Sequence, residues 1–134
     1  MAISITKQES IWVSGVPGSS NSERDQHIVA EGTIAASGTA YISLPIRPFA
    51  SIHVILTSGD ITGIIEVNNT DVDSNYTVDY DSTGIQRAAL FSALSTSRAY
   101  SNIGIPAVKN ARLKLTSTAG CTVAIYIYAS RRDG

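Results

Sequence analysis

The sequence predicts an all-β fold, an antiparallel β-sandwich or jelly roll of seven to nine short strands with at most one short helix. Several segments alternate strictly between apolar and polar residues, and turns rich in Gly, Pro, Ser and Asn separate them at fairly even spacing. Such alternation places one face of each strand in a core and the other outside it. A chain of 134 residues is long enough for one domain to bury that core without a metal or a disulfide.

The clearest alternation lies near the C-terminus, in residues 111–115 and 121–128. Odd positions there are apolar, and residues 117–120 supply a turn between the two runs. The polar or amphipathic even positions are Arg112, Lys114, Thr122, Tyr126 and Tyr128. We therefore expect these runs to form an antiparallel hairpin. Residues 51–56 and 63–67 give a second hairpin signal of the same kind.

The other segments complete the predicted strand count. Strands are expected at 27–34 and 40–44, with a short strand at 76–80. Residues 85–94 are the one segment that could be helical, because they include two alanines of high helix propensity and apolar residues that can share a face. Residues 1–22 are expected to form an N-terminal arm and loop, and residues 23–134 a single β-sandwich domain.

Composition excludes several classes of protein. The net charge is −1, so no strong overall field attracts nucleic acid or an anionic membrane. No apolar run approaches the ~20 residues that a membrane-spanning helix needs. Residues 1–10 do not have the basic region followed by an apolar run that is typical of a secretory signal, so we expect none there. Cys121 is the only cysteine, and its position on an apolar strand face predicts a buried, inert thiol.

One segment has the spacing of a metal site. Asp71, Asp73 and Asn75 follow the alternate spacing of oxygen ligands in calcium loops. The pattern then departs from such loops, because Tyr76 stands where the turn glycine belongs and Ser82 where a bidentate glutamate belongs. A solvated polar loop is the favoured interpretation, and calcium is the alternative.

No catalytic constellation accompanies this loop. The two histidines are not spaced as metal ligands, and the chain has neither a nucleophile elbow nor a phosphate-binding glycine loop. We therefore expect a protein that is not an enzyme and needs no cofactor.

Charge is divided unevenly along the chain. Residues 48–86, the acidic segment, contain six acids and no Lys or Arg, whereas residues 87–134, the basic segment, contain seven basic residues and one acid. One interpretation is that the fold interleaves the two segments and the surface charge averages out. The other is a head-to-tail contact in which the acidic segment of one copy faces the basic segment of the next.

Self-association, as a trimer or a dimer, is expected through three groups of residues. Two tyrosines project together from the last strand, opposite its core face, and tyrosine is enriched in interface cores. Two N-terminal isoleucines lie on an arm that could pair with a neighbour's sheet edge. The C-terminal basic pair could add an electrostatic contact, although two charges without aromatics are weak grounds for nucleic-acid binding. The interface candidates are Ile3, Ile5, Tyr126, Tyr128, Arg131 and Arg132.

The strand rhythm of residues 38–44, 52–58, 63–67, 111–117 and 121–130 resembles that of small β-sandwich virion proteins of tailed bacteriophages. These include capsid decoration (cement) proteins and tail accessory proteins. The resemblance implies a non-enzymatic particle component whose partners are its own copies and viral capsid or tail proteins. It also implies assembly in the host cytoplasm and location in the virion.

A second function class stays open, a tail-associated or carbohydrate- or receptor-binding module. Sugar-binding proteins usually expose aromatic platforms, and Trp12 is the only tryptophan in the chain. This favours the decoration subunit as the first hypothesis.

Overall fold

The computed structural model describes residues 3–11, 25–87, 89–105 and 108–130, which contain ten β-strands in two antiparallel sheets. Within these residues the only helical element is a 3-10 turn at Asp73–Asn75. The predicted all-β sandwich is therefore confirmed. The strands are β1 (Ser4–Ile11), β2 (Asp25–Ile34), β3 (Gly38–Leu44), β4 (Phe49–Gly59), β5 (Ile61–Asn68), β6 (Thr77–Val78), β7 (Phe91–Leu94), β8 (Arg98–Ile103), β9 (Asn110–Ser117) and β10 (Cys121–Ser130).

The strand order is that of a jelly roll. Sheet A has the order β1-β2-β10-β4-β8, and sheet B has the order β3-β9-β5, with β6 and β7 both pairing with the outer edge of β5. Strands of the first half pair with strands of the second half in reverse order: β2 with β10, β3 with β9, β4 with β8, and β5 with β6 and β7. The chain is thus one long antiparallel hairpin rolled into two sheets, the double-sheet arrangement of jelly rolls.

Both predicted hairpins are wrong. Strands β9 and β10 lie in opposite sheets, and so do β4 and β5, so each short connection is an arch across the sandwich rather than a turn between paired strands. The burial pattern of these strands is the predicted one, since inward positions of β9 and β10 alternate with outward ones. Alternation shows which face of a strand is buried but not which strand lies beside it.

The segment that could be helical contributes strand β7 instead. The Phe91 ring lies directly over Gly63 of β5, where any side chain would overlap it, and stacks on Tyr100 at 5.5 Å between ring centroids. This packing draws the end of the segment into the core and overrides its local helix propensity. Ala88 lies outside the described residues.

The N-terminal segment is not a free arm along its described length. Residues 4–11 form β1, which pairs antiparallel with β2 of the same chain. Ile3 is partly buried against the core. The segment is therefore an edge strand of its own chain's sheet A, and the predicted boundary at residue 22 lies outside the described residues.

The core fills the space between the sheets with inward-facing aliphatic side chains. Leu113 and Leu115 of β9 meet Ile125 and Ile127 of β10 there, all fully buried. Cys121 belongs to the same cluster, and burial raises the pKa of its thiol, as expected for an inert cysteine.

Asp60 joins the two arches at one end of the sandwich. Its carboxylate accepts hydrogen bonds from the backbone N–H of Ala119 at 2.8 Å and of Thr118 at 3.1 Å. Beside it, Gly59 adopts a positive φ of 84° and lies so close to Gly120 that a Cβ would overlap the Gly120 carbonyl oxygen. The connections β4–β5 and β9–β10 are therefore held against each other by one carboxylate and one close backbone approach.

We predict that Asp60→Asn lowers the melting temperature at neutral pH and that the difference shrinks in acid. The N–H donors of Ala119 and Thr118 lower the pKa of Asp60 below its usual value of 3.8. A lowered folded-state pKa contributes stability above the usual value, and the contribution is lost as pH falls through the folded-state pKa.

Thermal unfolding from neutral pH down to about pH 2 measures this difference. Asp73→Asn, at an exposed position of the 3-10 turn, is the control and should keep a melting temperature close to wild type at neutral pH. If Asp60→Asn lowered the melting temperature by the same amount at every pH, the predicted role of the Asp60 charge would be contradicted.

Candidate functional site

The three central strands of sheet A carry little charge. These strands, β2, β10 and β4, contain no Lys or Arg, and their only acids are Asp25 and Glu31. The strand registers align their outward side chains in rows across the sheet. We call these residues the sheet A face: His27, Val29, Glu31, Ser51, His53, Ile55, Ala124, Tyr126 and Tyr128. Within this face Val29 is buried and Glu31 is exposed.

Tyr126 lies at the centre of the sheet A face. It is opposite Val29 on β2 and His53 on β4, and Ala99 of β8 continues the row beyond His53. In the next row, Ala124 lies between Glu31 on β2 and Ile55 on β4. Cross-strand neighbours of this kind are close enough to pack, so the row forms a continuous surface of apolar and aromatic groups.

Two tilted aromatic pairs cross the strands of this face. The rings of His53 and Tyr126 have centroids 6.5 Å apart, and those of His27 and Tyr128 are 6.2 Å apart. Tyr126 and Tyr128 are 39% and 37% exposed, so part of each side chain reaches the surface. The pairs hold flat, rigid rings in place at the surface, which is the kind of group that interface cores favour.

Tyr128 is oriented by a buried carboxylate. Its hydroxyl donates a hydrogen bond of 2.6 Å to Oδ2 of Asp25, which has no exposed surface. A short bond from a hydroxyl to a carboxylate is among the stronger hydrogen bonds in proteins. It fixes the ring of Tyr128 at the sheet A face.

The outer face of sheet B is different because it carries charges that satisfy one another. Arg112 on β9 donates from Nε to Oε1 of Glu66 on β5 at 2.8 Å. The Arg112 guanidinium also lies 3.8 Å from the ring centroid of Tyr41 and 3.9 Å from that of Tyr76, so it is enclosed by two rings. These contacts hold the charges of this face within the sheet.

The acidic and basic segments pair with each other inside the chain. Besides the Glu66–Arg112 pair, Asp79 accepts from Nε of Arg87 at 2.8 Å and Asp71 lies 2.6 Å from Nζ of Lys109. Each pair joins an acid of the acidic segment to a base of the basic segment. The structure thus supports interleaving of the two segments rather than a separate patch of each sign.

The calcium hypothesis is not supported by the placement of its residues. Asp71 pairs with Lys109, and the side-chain amide of Asn75 donates to the hydroxyl of Thr70 at 3.0 Å. Asp71 and Asp73 line a small polar cavity of about 200 Å³. No cluster of three or more His, Cys, Asp or Glu suited to a metal occurs in the described ranges.

The sequence identified part of the sheet A face. It placed Tyr126 and Tyr128 on the outer surface, and the register now joins them to apolar residues of other strands. Val29, Ile55 and Ala124 were missed, although the lack of Lys and Arg in three strands was a visible signal. Of the remaining candidates, Arg131, Arg132 and the side chain of Ile5 lie outside the described part of the chain.

Comparisons with known proteins show no family. No family model matches the sequence, and no curated protein matches it. Among solved structures, one described as the crystal structure of PirA is similar at 11% identity, covering 75% of this chain and 92% of that chain with a TM-score of 0.49. In the part of the chain that the structure describes, no helix is long and apolar enough to cross a membrane.

We predict that Tyr128→Phe destabilises the fold more than Tyr126→Phe does. Loss of the Tyr128 hydroxyl removes a hydrogen bond from the buried Asp25 carboxylate, which costs about 1–3 kcal/mol. Tyr126 is the matched control, being the same residue type two positions earlier on the same strand and face. Denaturant unfolding of both variants measures the difference in unfolding free energy. Equal stabilities would show that the bond to Asp25 contributes nothing.

Proposed function

We propose that this chain is a non-enzymatic structural subunit that associates with copies of itself through the sheet A face. The observation that supports the proposal is the nearly uncharged outer surface of three adjacent strands. An antiparallel sheet with one solvated face normally carries polar and charged residues there. Here the outward positions carry tyrosine, histidine, valine, isoleucine, alanine and serine, and Glu31 is their one charged residue.

The composition of the face fits a protein interface. Interface cores are depleted of charged residues and enriched in tyrosine. The face also extends over the neighbouring strands β2, β10 and β4, so two copies can pack sheet against sheet as the two halves of a sandwich do.

The distribution of charge on the sheet A face favours a contact with two-fold symmetry. A two-fold axis brings the same patch of both copies together, and a patch without basic residues and with few acids brings few like charges into contact. The head-to-tail alternative needs unpaired acidic and basic patches, yet three acids of the acidic segment already pair within the chain. We therefore favour a dimer over a trimer.

The identity of the particle on which such a subunit would assemble is inferred from the sequence resemblance. Small β-sandwich virion proteins of tailed bacteriophages have the same strand rhythm, and the proposed role is that of a capsid decoration (cement) subunit located in the virion. A rigid sandwich that self-associates is suited to bridging sites on a particle surface, because association of many copies multiplies weak individual contacts.

We predict that Ile55→Glu separates the copies while the fold is retained. Ile55 is 36% exposed at the centre of β4, so a glutamate there is tolerated in the monomer but would be buried without a partner in a face-to-face contact. Thr39→Glu, at an exposed position of edge strand β3 in sheet B, is the matched control.

Sedimentation or light scattering at micromolar concentration measures the association. Wild type and Thr39→Glu should exceed the monomer mass of 14.2 kDa, and Ile55→Glu should run at it. A monomeric wild type, or an Ile55→Glu variant that stays associated, would contradict the sheet A contact.

A further prediction concerns the particle. Purified virions of a phage that encodes this chain should contain it in many copies after density-gradient separation, because decoration subunits repeat over the capsid. Quantitative mass spectrometry of the particles measures the copy number. Absence of the chain from purified virions would reject the decoration role, without bearing on self-association.

A further inference from the structure

A cavity of about 340 Å³ opens at the outer edge of sheet B, remote from the sheet A face. This volume is in the range of small-ligand pockets. The walls are aliphatic, formed by Ile64 and Ile65 of β5 together with Leu90 and Ile105. Such walls favour an apolar group and offer no aromatic platform.

The cavity exists because strand pairing along this edge of β5 is interrupted. β7 pairs with β5 at Ile61 and Gly63, and β6 pairs with it at Glu66 and Val67. Between them, Ile64 and Ile65 pair with no strand on this edge among the described residues, while β9 covers the opposite edge. A gap in a sheet edge is a place where an extended segment can lie beside the strand.

The rim of the cavity carries one ion pair with unused bonding capacity. Nε of Arg87 donates to Oδ2 of Asp79 at 2.8 Å, and the backbone N–H of Arg87 donates to the carbonyl oxygen of Asp79 at 3.0 Å. Among the described residues, neither the terminal nitrogens of Arg87 nor Oδ1 of Asp79 have another hydrogen-bond partner within the protein. The rim thus holds donors and an acceptor side by side, with no net charge.

We propose that this cavity binds an aliphatic side chain of an extended, uncharged peptide segment of a partner protein, whose backbone amide bonds to Asp79 and Arg87. A peptide group has one N–H donor and one C=O acceptor, which match the acceptor and the donors of the rim. The aliphatic side chain beside that group matches the four aliphatic walls. The proposal goes beyond self-association and does not depend on it.

The charges at the rim disfavour charged ligands. A carboxylate would bind Arg87 but would face Asp79. Asp81 is a further acid near Arg87: the Thr83 hydroxyl and the Ile85 N–H lower its pKa most, and the charge of Arg87 adds a smaller effect. An ammonium group would bind Asp79 but would face the Arg87 guanidinium. A neutral amide meets neither repulsion.

Binding of short blocked peptides to the full chain tests the proposal. The probes are three acetylated, C-terminally amidated tripeptides with threonine at both ends and leucine, serine or glutamate in the centre. Methyl resonances of Ile64, Leu90 and Ile105, followed by NMR during titration, report binding at the cavity. The leucine peptide should bind at least about tenfold more tightly than the other two, because only its side chain fits apolar walls.

Two arginine variants test the contribution of the rim to peptide binding. Arg87→Gln should lower the affinity for the leucine peptide by about tenfold, because one hydrogen bond to a charged group contributes about that much. Arg98→Gln is the matched control, since Arg98 is an exposed arginine on β8 in the other sheet, and it should leave the affinity unchanged.

The result that overturns the proposal is absence of methyl shifts with the leucine peptide, or equal affinity for the three peptides. Titrations with hexanoate and with methyl glucoside give the competing outcomes. If hexanoate bound more tightly than the leucine peptide at the same methyl groups, the ligand class would be a fatty acid. If methyl glucoside did so, the ligand class would be a sugar. None of these results depends on whether the copies associate through the sheet A face.

Discussion

Strand β10 is the element on which the rest of the structure depends, because it is paired on both sides and used on both faces. It lies between β2 from the start of the chain and β4 from the first half, so sheet A closes only when the last strand is in place. Its inward residues fill the core, and its outward residues Ala124, Tyr126 and Tyr128 form the centre of the sheet A face. The same alternation therefore builds the fold and the proposed contact between copies.

The rolled topology also explains the distribution of charge. Because the second half of the chain pairs with the first half in reverse order, the basic segment is laid beside the acidic segment, as β9 lies beside β5 in sheet B. The Glu66–Arg112 pair is a direct result of that register. The ion pairs of the two segments lie within sheet B and its loops, and the sheet A face carries mainly tyrosine, histidine and aliphatic groups, with Glu31 as its one charge.

The sequence predicted the burial of each strand better than its partners. The alternation in β9 and β10 identified Leu113 and Ile125 as inward, but a hairpin and an arch across a sandwich produce the same pattern, so the pairing was wrong. Strand β7 was not predicted because the contact of Phe91 with Gly63 is long-range. The tyrosines of the sheet A face were visible in the sequence, whereas their neighbour Ile55 became part of it only through the register.

The central claim is that copies of this chain meet through the sheet A face, and a concentration series followed by NMR tests it most directly. As the protein is diluted from a millimolar to a micromolar solution, the resonances of His53, Ile55 and Tyr126 should shift together toward their monomer positions. Tyr41 and Lys114 on the outer face of sheet B should stay unchanged. Shifts confined to sheet B, or an associated protein whose sheet A resonances do not move, would contradict the account.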